Sequence, residues 1–221
     1  MIDKKPNCIE LESDENVFVR DYSISKEISS RDEKIVAIFG GGGIPRESFY
    51  YQKAMEFAKN MSAAGISVIT GGGPGIMEAG NRGAKSAESL SNSYGLKVSA
   101  IKDEDLGHSN YLDQNCDFTF DTLAVRLLAL IANSNAIVFF PGGYGTFEEL
   151  FSLLVRIKVG MMKKIPIYLF GSQFWNGLIL WLSEIVKKEG TIGDDHLSLF
   201  KVEDDVEKIS QEIISHFVSL N

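Results

Sequence analysis

Residues 141–149 read Pro-Gly-Gly-Tyr-Gly-Thr-Phe-Glu-Glu, which sets three glycines, one hydroxyl and two carboxylates directly after the apolar run 136–140. Glycine lets backbone N–H groups come close to a ligand, and a helix starting in such a turn adds about half a positive charge. That combination suits a phosphate group. Two more glycine clusters have the same setting: Gly40-Gly41-Gly42-Gly43 after IVAIF (35–39), and Gly71-Gly72-Gly73-Pro74-Gly75 after ISVIT (66–70). Arg46 and Arg82 follow these two clusters closely enough to reach an anion held there. Glu78 and Met77 fall in the first turn after Pro74, where dipole stabilisation and packing account for them. Neither GxxxxGK[ST] nor GxGxxG occurs at any cluster, which argues against P-loop nucleotide hydrolysis and dinucleotide redox chemistry. No lysine stands in a setting that marks a Schiff-base former.

Short β-branched or aromatic runs must carry these turns, each followed by a helical pattern. Besides 35–39 and 66–70, strands are expected at LKVSAI (96–101), DFTF (117–120), AIVFF (136–140) and IPIYLF (165–170). Between them, Tyr50, Ala54, Phe57, Ala58 and Met61 share one helical face, and Gly65 stops that helix. Further helices are expected at 123–132, from 148 to Gly160, at 175–190 and at 202–217. The rhythm predicts an α/β fold: six parallel strands in an open doubly wound sheet with helices on both faces, in one domain over 34–221. Ligands of such sheets lie beyond the carboxyl ends of the strands, where the glycine clusters fall. Residues 1–33 hold nine acids and little apolar periodicity, and are expected to form an acidic leader outside the core.

The 221 residues carry 30 acids against 22 bases, a net charge of −8, which disfavours a nucleic-acid surface. Cys8 and Cys116 form no CxxC pair, and His108, His196 and His216 are scattered without metal-ligand spacing, so no metal site is expected. No apolar run approaches the roughly 18 residues a membrane span needs, and the start MIDKKPNCIELESDE has no apolar signal core. The expected location is cytoplasmic.

Thr70-Gly71-Gly72-Gly73-Pro74-Gly75-Ile76-Met77, taken with 141–149, resembles the LOG family of cytokinin riboside 5′-monophosphate phosphoribohydrolases, many of which bore an older lysine decarboxylase label. The resemblance spans about residues 35–215. It implies a Rossmann-like homodimer that hydrolyses the N-glycosidic bond of a nucleoside 5′-monophosphate such as AMP. Free base and ribose 5-phosphate leave, with no metal and no cofactor. Family members place a catalytic arginine 23 positions before a catalytic glutamate, which falls here on Arg126 and Glu149. Substrate binding is then carried by Gly71, Gly72, Gly73, Gly142, Gly143, Tyr144, Gly145 and Thr146, with Glu148 on ribose hydroxyls. Plant-type members follow the arginine with lysine, where this chain has Leu127.

Cleaving a ribosyl–base bond builds positive charge on the sugar, so a carboxylate at Glu149 would stabilise the transition state and orient water. The spacing Thr146-x-x-Glu149 fits equally a capping box, in which the glutamate folds back on its own helix start. Arg126, between Val125 and Leu127, fits equally an arginine snorkelling from an amphipathic helix. Tyr22, Tyr50 and Tyr51 are candidates to stack on a base. Phe147, Leu150, Phe151, Leu154 and Ile157 offer more apolar surface than one sheet face absorbs, which also points to a dimer. The alternative reading is a carrier of the same fold that binds a nucleotide or another phosphorylated cofactor without turnover.

Overall fold

The computed structural model describes residues 15–100 and 109–219. Seven parallel strands form one sheet in the order β4-β3-β2-β1-β5-β6-β7. They are β1 (Ile35–Phe39), β2 (Ser67–Thr70), β3 (Ser93–Val98), β4 (Asp117–Phe120), β5 (Ala136–Phe139), β6 (Ile167–Phe170) and β7 (Lys201–Glu203). The helices are α1 (Glu15–Ser29), α2 (Phe49–Ala63), α3 (Ile76–Lys85), α4 (Leu123–Ala132), α5 (Tyr144–Lys158), α6 (Ser172–Trp181), α7 (Asp194–Leu197) and α8 (Val206–Ser219). Every residue of β1, β2, β5 and β6 is buried, as expected of parallel strands covered on both faces.

Alternation along the strands divides the core. Ile35, Ala37, Phe39, Ile137 and Phe139 pack with Ile28 of α1, Leu130 of α4, Leu153 of α5 and Trp175 of α6. Val36, Ile38, Val68 and Val138 pack with Phe57 of α2, Ala79 of α3 and Ile213 of α8. The chain winds outward from β1 in one direction through β4, then returns to the other side of β1 with β5. The β1/β5 boundary is therefore the point at which the winding reverses, the place where open sheets of this kind bind their ligands. Here the Gly41 N–H donates to the Pro141 carbonyl at 2.9 Å, and the Ile76 N–H donates to the Gly41 carbonyl at 3.2 Å. One residue thus ties the first glycine loop to the start of α3 and to the turn that leads into α5.

Several elements depart from expectation. There are seven strands, not six, because Lys201–Glu203 pairs with β6, and α8 starts only at Val206. The Asp205 carboxylate fixes that start by accepting from the Glu207 N–H at 2.9 Å. β3 begins at Ser93, inside a stretch polar enough to read as loop, since Asn81 takes up the Ser93 hydroxyl and the Tyr94 carbonyl. It ends at Val98, residues 99 and 100 form a turn, and 101 lies outside the described residues. The expected helix 175–190 spans α6 and a π-helical turn, Leu182–Val186. Tyr51 takes the buried place that the helical face assigned to Tyr50. Within the expected leader, residues 15–29 form α1, with Asp21 and Ile28 fully buried. Cys116 is a buried free thiol, and Cys8 and His108 lie outside the described residues. No described helix is long and apolar enough to cross a membrane.

Gly75 sits at φ +64°, and a Cβ there would collide with the Gly41 carbonyl. Gly75→Ala is expected to lower stability by about 2–4 kcal/mol in urea unfolding, whereas Gly43→Ala, which meets nothing, should stay within about 1 kcal/mol of the parent.

Candidate active site

The start of α5 lies at the carboxyl end of β5. Its N-cap is Gly143, and no side chain caps it. The N–H groups of Tyr144, Gly145 and Thr146 therefore fall in the turn that has no intrahelical acceptor. Gly143, Tyr144 and Gly145 are exposed, Tyr144 almost completely. Thr146 is buried, with its hydroxyl against Gly142, where a Cβ would overlap it. The capping-box reading is overturned: the helix starts before Thr146, so Glu149 lies beyond the first turn and does not fold back. Glu149 is half-buried, and among the described residues nothing donates a hydrogen bond to its carboxyl.

Arg126 stands on the first turn of α4 and is buried, which rules out snorkelling. Its Nε donates to the Leu96 carbonyl at 2.5 Å and its Nη2 to the Gly71 carbonyl at 2.9 Å. The guanidinium thus bridges the carboxyl ends of β2 and β3. A Cβ at Gly71 would fall on Arg126 Nη2 and displace it from this position. Burial lowers the Arg126 pKa, against the opposing pull of the Glu149 and Glu148 carboxylates. Burial pushes the Glu149 carboxyl up to about 8, with Arg126 opposing the rise and Glu148 adding to it. The two groups therefore feel each other's field, and the Glu149 carboxyl sits well above the ordinary carboxylate range. Glu148 is exposed beside them.

The second loop is pinned from below. The Gly72 N–H donates to Thr70 Oγ1 at 3.0 Å, and Thr70 donates to Asn81 at 2.6 Å. Gly72 also faces the stem of Lys97, a buried lysine paired with Asp117 at 2.8 Å. Gly73 and Gly42 lie against the Met77 methyl, whose sulfur also approaches Gly71. Met77 therefore fills the space between the first two loops, a place that sequence periodicity alone did not assign to it. Arg46 and Arg82 are engaged elsewhere. Arg46 donates to the buried Glu78 at 2.8 Å, Tyr51 donates to the same carboxylate at 2.6 Å, and Arg82 bonds the Tyr51 hydroxyl. Tyr50 packs on Phe170, and Tyr22 is exposed on α1. Among the described residues no group of three or more His, Cys, Asp or Glu is placed to hold a metal ion. A cavity of about 740 Å³ lies away from the glycine loops, at the amino ends of β6 and β7, where Tyr168 and Lys201 both pair with Glu212.

The Glu149 shift sets a stability test. Between the ordinary value of 4.5 and about 8 the folded chain keeps a proton that the unfolded chain has released, so stability falls as pH rises through that window. Glu149→Gln should therefore match the parent near pH 4 and exceed it at pH 8.5 by on the order of 2–4 kcal/mol in urea unfolding.

The family model described as possible lysine decarboxylase matches residues 77–213. A probable cytokinin riboside 5′-monophosphate phosphoribohydrolase of Oryza sativa subsp. japonica is 25% identical over 167 residues, covering 75% of this chain and 70% of that protein. The Arabidopsis thaliana cytokinin riboside 5′-monophosphate phosphoribohydrolase LOG2 is 25% identical over 164 residues, 73% of each. A bifunctional cytokinin biosynthesis protein of Fusarium pseudograminearum is 24% identical over 180 residues, and the chain spans only 37% of its length. Among solved structures, the molybdenum cofactor binding protein of Rippkaea orientalis superposes with a TM-score of 0.60 at 19% identity, over 85% of this chain and 99% of that one. The molybdenum cofactor carrier protein of Chlamydomonas reinhardtii superposes at 0.55, also at 19% identity, over 84% and 99%. At these identities the superpositions speak for the fold, which is Rossmann-like. Kinship rests on the family model, which runs from the first turn of α3 through both acidic residues at the head of α5 and covers more than half of the sequence: the chain belongs to the LOG family.

Proposed function

We propose that the protein is a nucleoside 5′-monophosphate phosphoribohydrolase that cleaves the N-glycosidic bond of AMP or a related purine nucleotide. The observation that carries this reading is the Arg126–Glu149 pair, electrostatically coupled, beside the uncapped start of α5. The N–H groups of Tyr144, Gly145 and Thr146 hold the 5′-phosphate, with Gly142 and Gly143 letting it approach. Gly71, Gly72 and Gly73 line the opposite wall, and Glu148 takes ribose hydroxyls. The names of the Oryza and Arabidopsis relatives support the substrate class.

A group that titrates near 8 exchanges its proton close to neutral pH, the range in which a general base works best. In its ionised form Glu149 takes a proton from water as the water oxygen bonds to C1′. The C1′–N bond breaks with its electron pair leaving on the base, which then takes up a proton. Carboxylate and sugar charge about 4 Å apart attract by about 4 kcal/mol at an effective dielectric of 20, on the order of a thousandfold in rate. In its protonated form Glu149 does not repel the incoming phosphate. Arg126, held by two carbonyls, is a fixed positive charge that keeps the Glu149 pKa from rising further.

One observation favours a second reading, a carrier without turnover: the Arg126 Nε and Nη2 are spent on the backbone, not on a ligand. The proteins it superposes on include two described by their molybdenum cofactor binding or carrying. Incubation with AMP and other monophosphates separates the readings. Free base should appear, kcat/KM should rise with pH to about 8, and Glu149→Gln should lower kcat about a thousandfold while nucleotide affinity changes little. Nucleotide binding with no base released from any monophosphate would establish the carrier.

Assembly as a homodimer is also proposed, with Phe151 the one residue of the expected set that stays exposed. Leu150 and Ile157 are absorbed by the core, and Phe147 and Leu154 pack against it. Beyond Tyr144, the apolar residues left exposed on α5 are Phe151 and Val155, continued by Val159 just past its end. Light scattering should give twice the monomer mass, and Val155→Glu should halve it.

A further inference from the structure

α1 lies outside the residues matched by the family model, yet it is attached to α4 at both ends. At the front, the Asp21 carboxylate is fully buried and accepts from the Thr122 N–H at 2.8 Å and the Asp121 N–H at 3.1 Å. Thr122 is the N-cap residue of α4, and its own side chain makes no capping bond. Asp21 therefore supplies the cap in trans, while Arg20 bridges Asp21 at 3.0 Å and Asp121 at 2.7 Å. At the back, the Ser29 hydroxyl donates to Asn133 at 2.7 Å, and Asn133 donates to Ser25 at 3.3 Å. Asn133 is the C-cap of α4. The two helices thus run in the same direction, clamped front and rear, with Ile28 between them in the core.

The front clamp acts on the turn that carries Arg126, whose N–H donates to the Thr122 carbonyl at 3.0 Å. Asp21 and Arg126 therefore bind the same residue from opposite sides, one through its N–H and one through its carbonyl. We infer that Asp21 is a positioning residue for the reaction: by capping α4 it sets where the Arg126 guanidinium meets Gly71, Leu96 and the field of Glu149. This rests on the proposed roles of Arg126 and Glu149. On this view α1 is a working part of the site.

The rear clamp supplies the control, since Ser29 touches the same helix far from Arg126. In Asp21→Ala, kcat on AMP should fall about tenfold with KM within about twofold of the parent, since displacement of a positioned group costs the transition state. The Glu149 carboxyl, followed by carbon NMR and assigned by its loss in Glu149→Gln, should titrate about half a unit higher as its counter-charge moves away. Asp21→Asn, which keeps one acceptor oxygen, should fall between the two. Ser29→Ala should lower the melting temperature but leave kcat and the Glu149 titration unchanged. Unchanged kcat and titration in folded Asp21→Ala, or in Asp21→Asn if the alanine variant fails to fold, would overturn the inference. So would an equal effect from Ser29→Ala. If the parent releases no base at all, the NMR titration still decides the positioning role, and a shift there supports it while the hydrolase reading falls.

Discussion

A buried guanidinium needs fixed partners, and Arg126 finds them in two backbone carbonyls, Gly71 in the loop after β2 and Leu96 in β3. Much of the site follows from that constraint. The second glycine loop has to keep Gly71 bare so that the side chain can enter, and its neighbour Gly72 is held by Thr70 and Asn81. The charge so fixed faces a carboxyl that burial would otherwise hold in its neutral form over a still wider pH range. Because the partners are carbonyls and not a carboxylate, the positive charge is hydrogen-bonded without being neutralised, and its field still reaches Glu149.

The other half of the arrangement is a helix start left open. The start of α2 is closed by the Ser48 side chain, which accepts from the Tyr50 N–H. α5 has only Gly143 in that position, at the point where the sheet reverses its winding. Gly41, through its N–H and its carbonyl, links the loops after β1, β2 and β5. Backbone donors without intrahelical acceptors and the Glu149 carboxyl thus lie within two turns of one another on the same helix.

What the sequence disclosed depended on whether the deciding partner was local. The central strands were legible because parallel strands buried on both faces must be continuous apolar runs, as IVAIF and AIVFF are. β7 was not, since a three-residue edge strand bearing Lys201 and Glu203 carries no such run. The front of β3 was hidden because the polarity of Ser93 is satisfied by Asn81, on another element. The spacing of Thr146 and Glu149 fits a cap or an active carboxyl, and only the true helix start at Gly143 separates them. The partners of Arg126 are backbone atoms 30 and 55 residues away, which no side-chain pattern announces. Asp21 was counted among leader acids for the same reason: its function is to accept from N–H groups a hundred residues on.

The most direct measurement of the central claim is a crystal structure of Glu149→Gln with AMP bound. The account expects the phosphate oxygens on the N–H groups of Tyr144, Gly145 and Thr146, and C1′ within contact of the residue 149 side chain, with Arg126 still on Gly71 and Leu96. A phosphate seated instead between Arg46 and Arg82, or a sugar turned away from position 149, would contradict it.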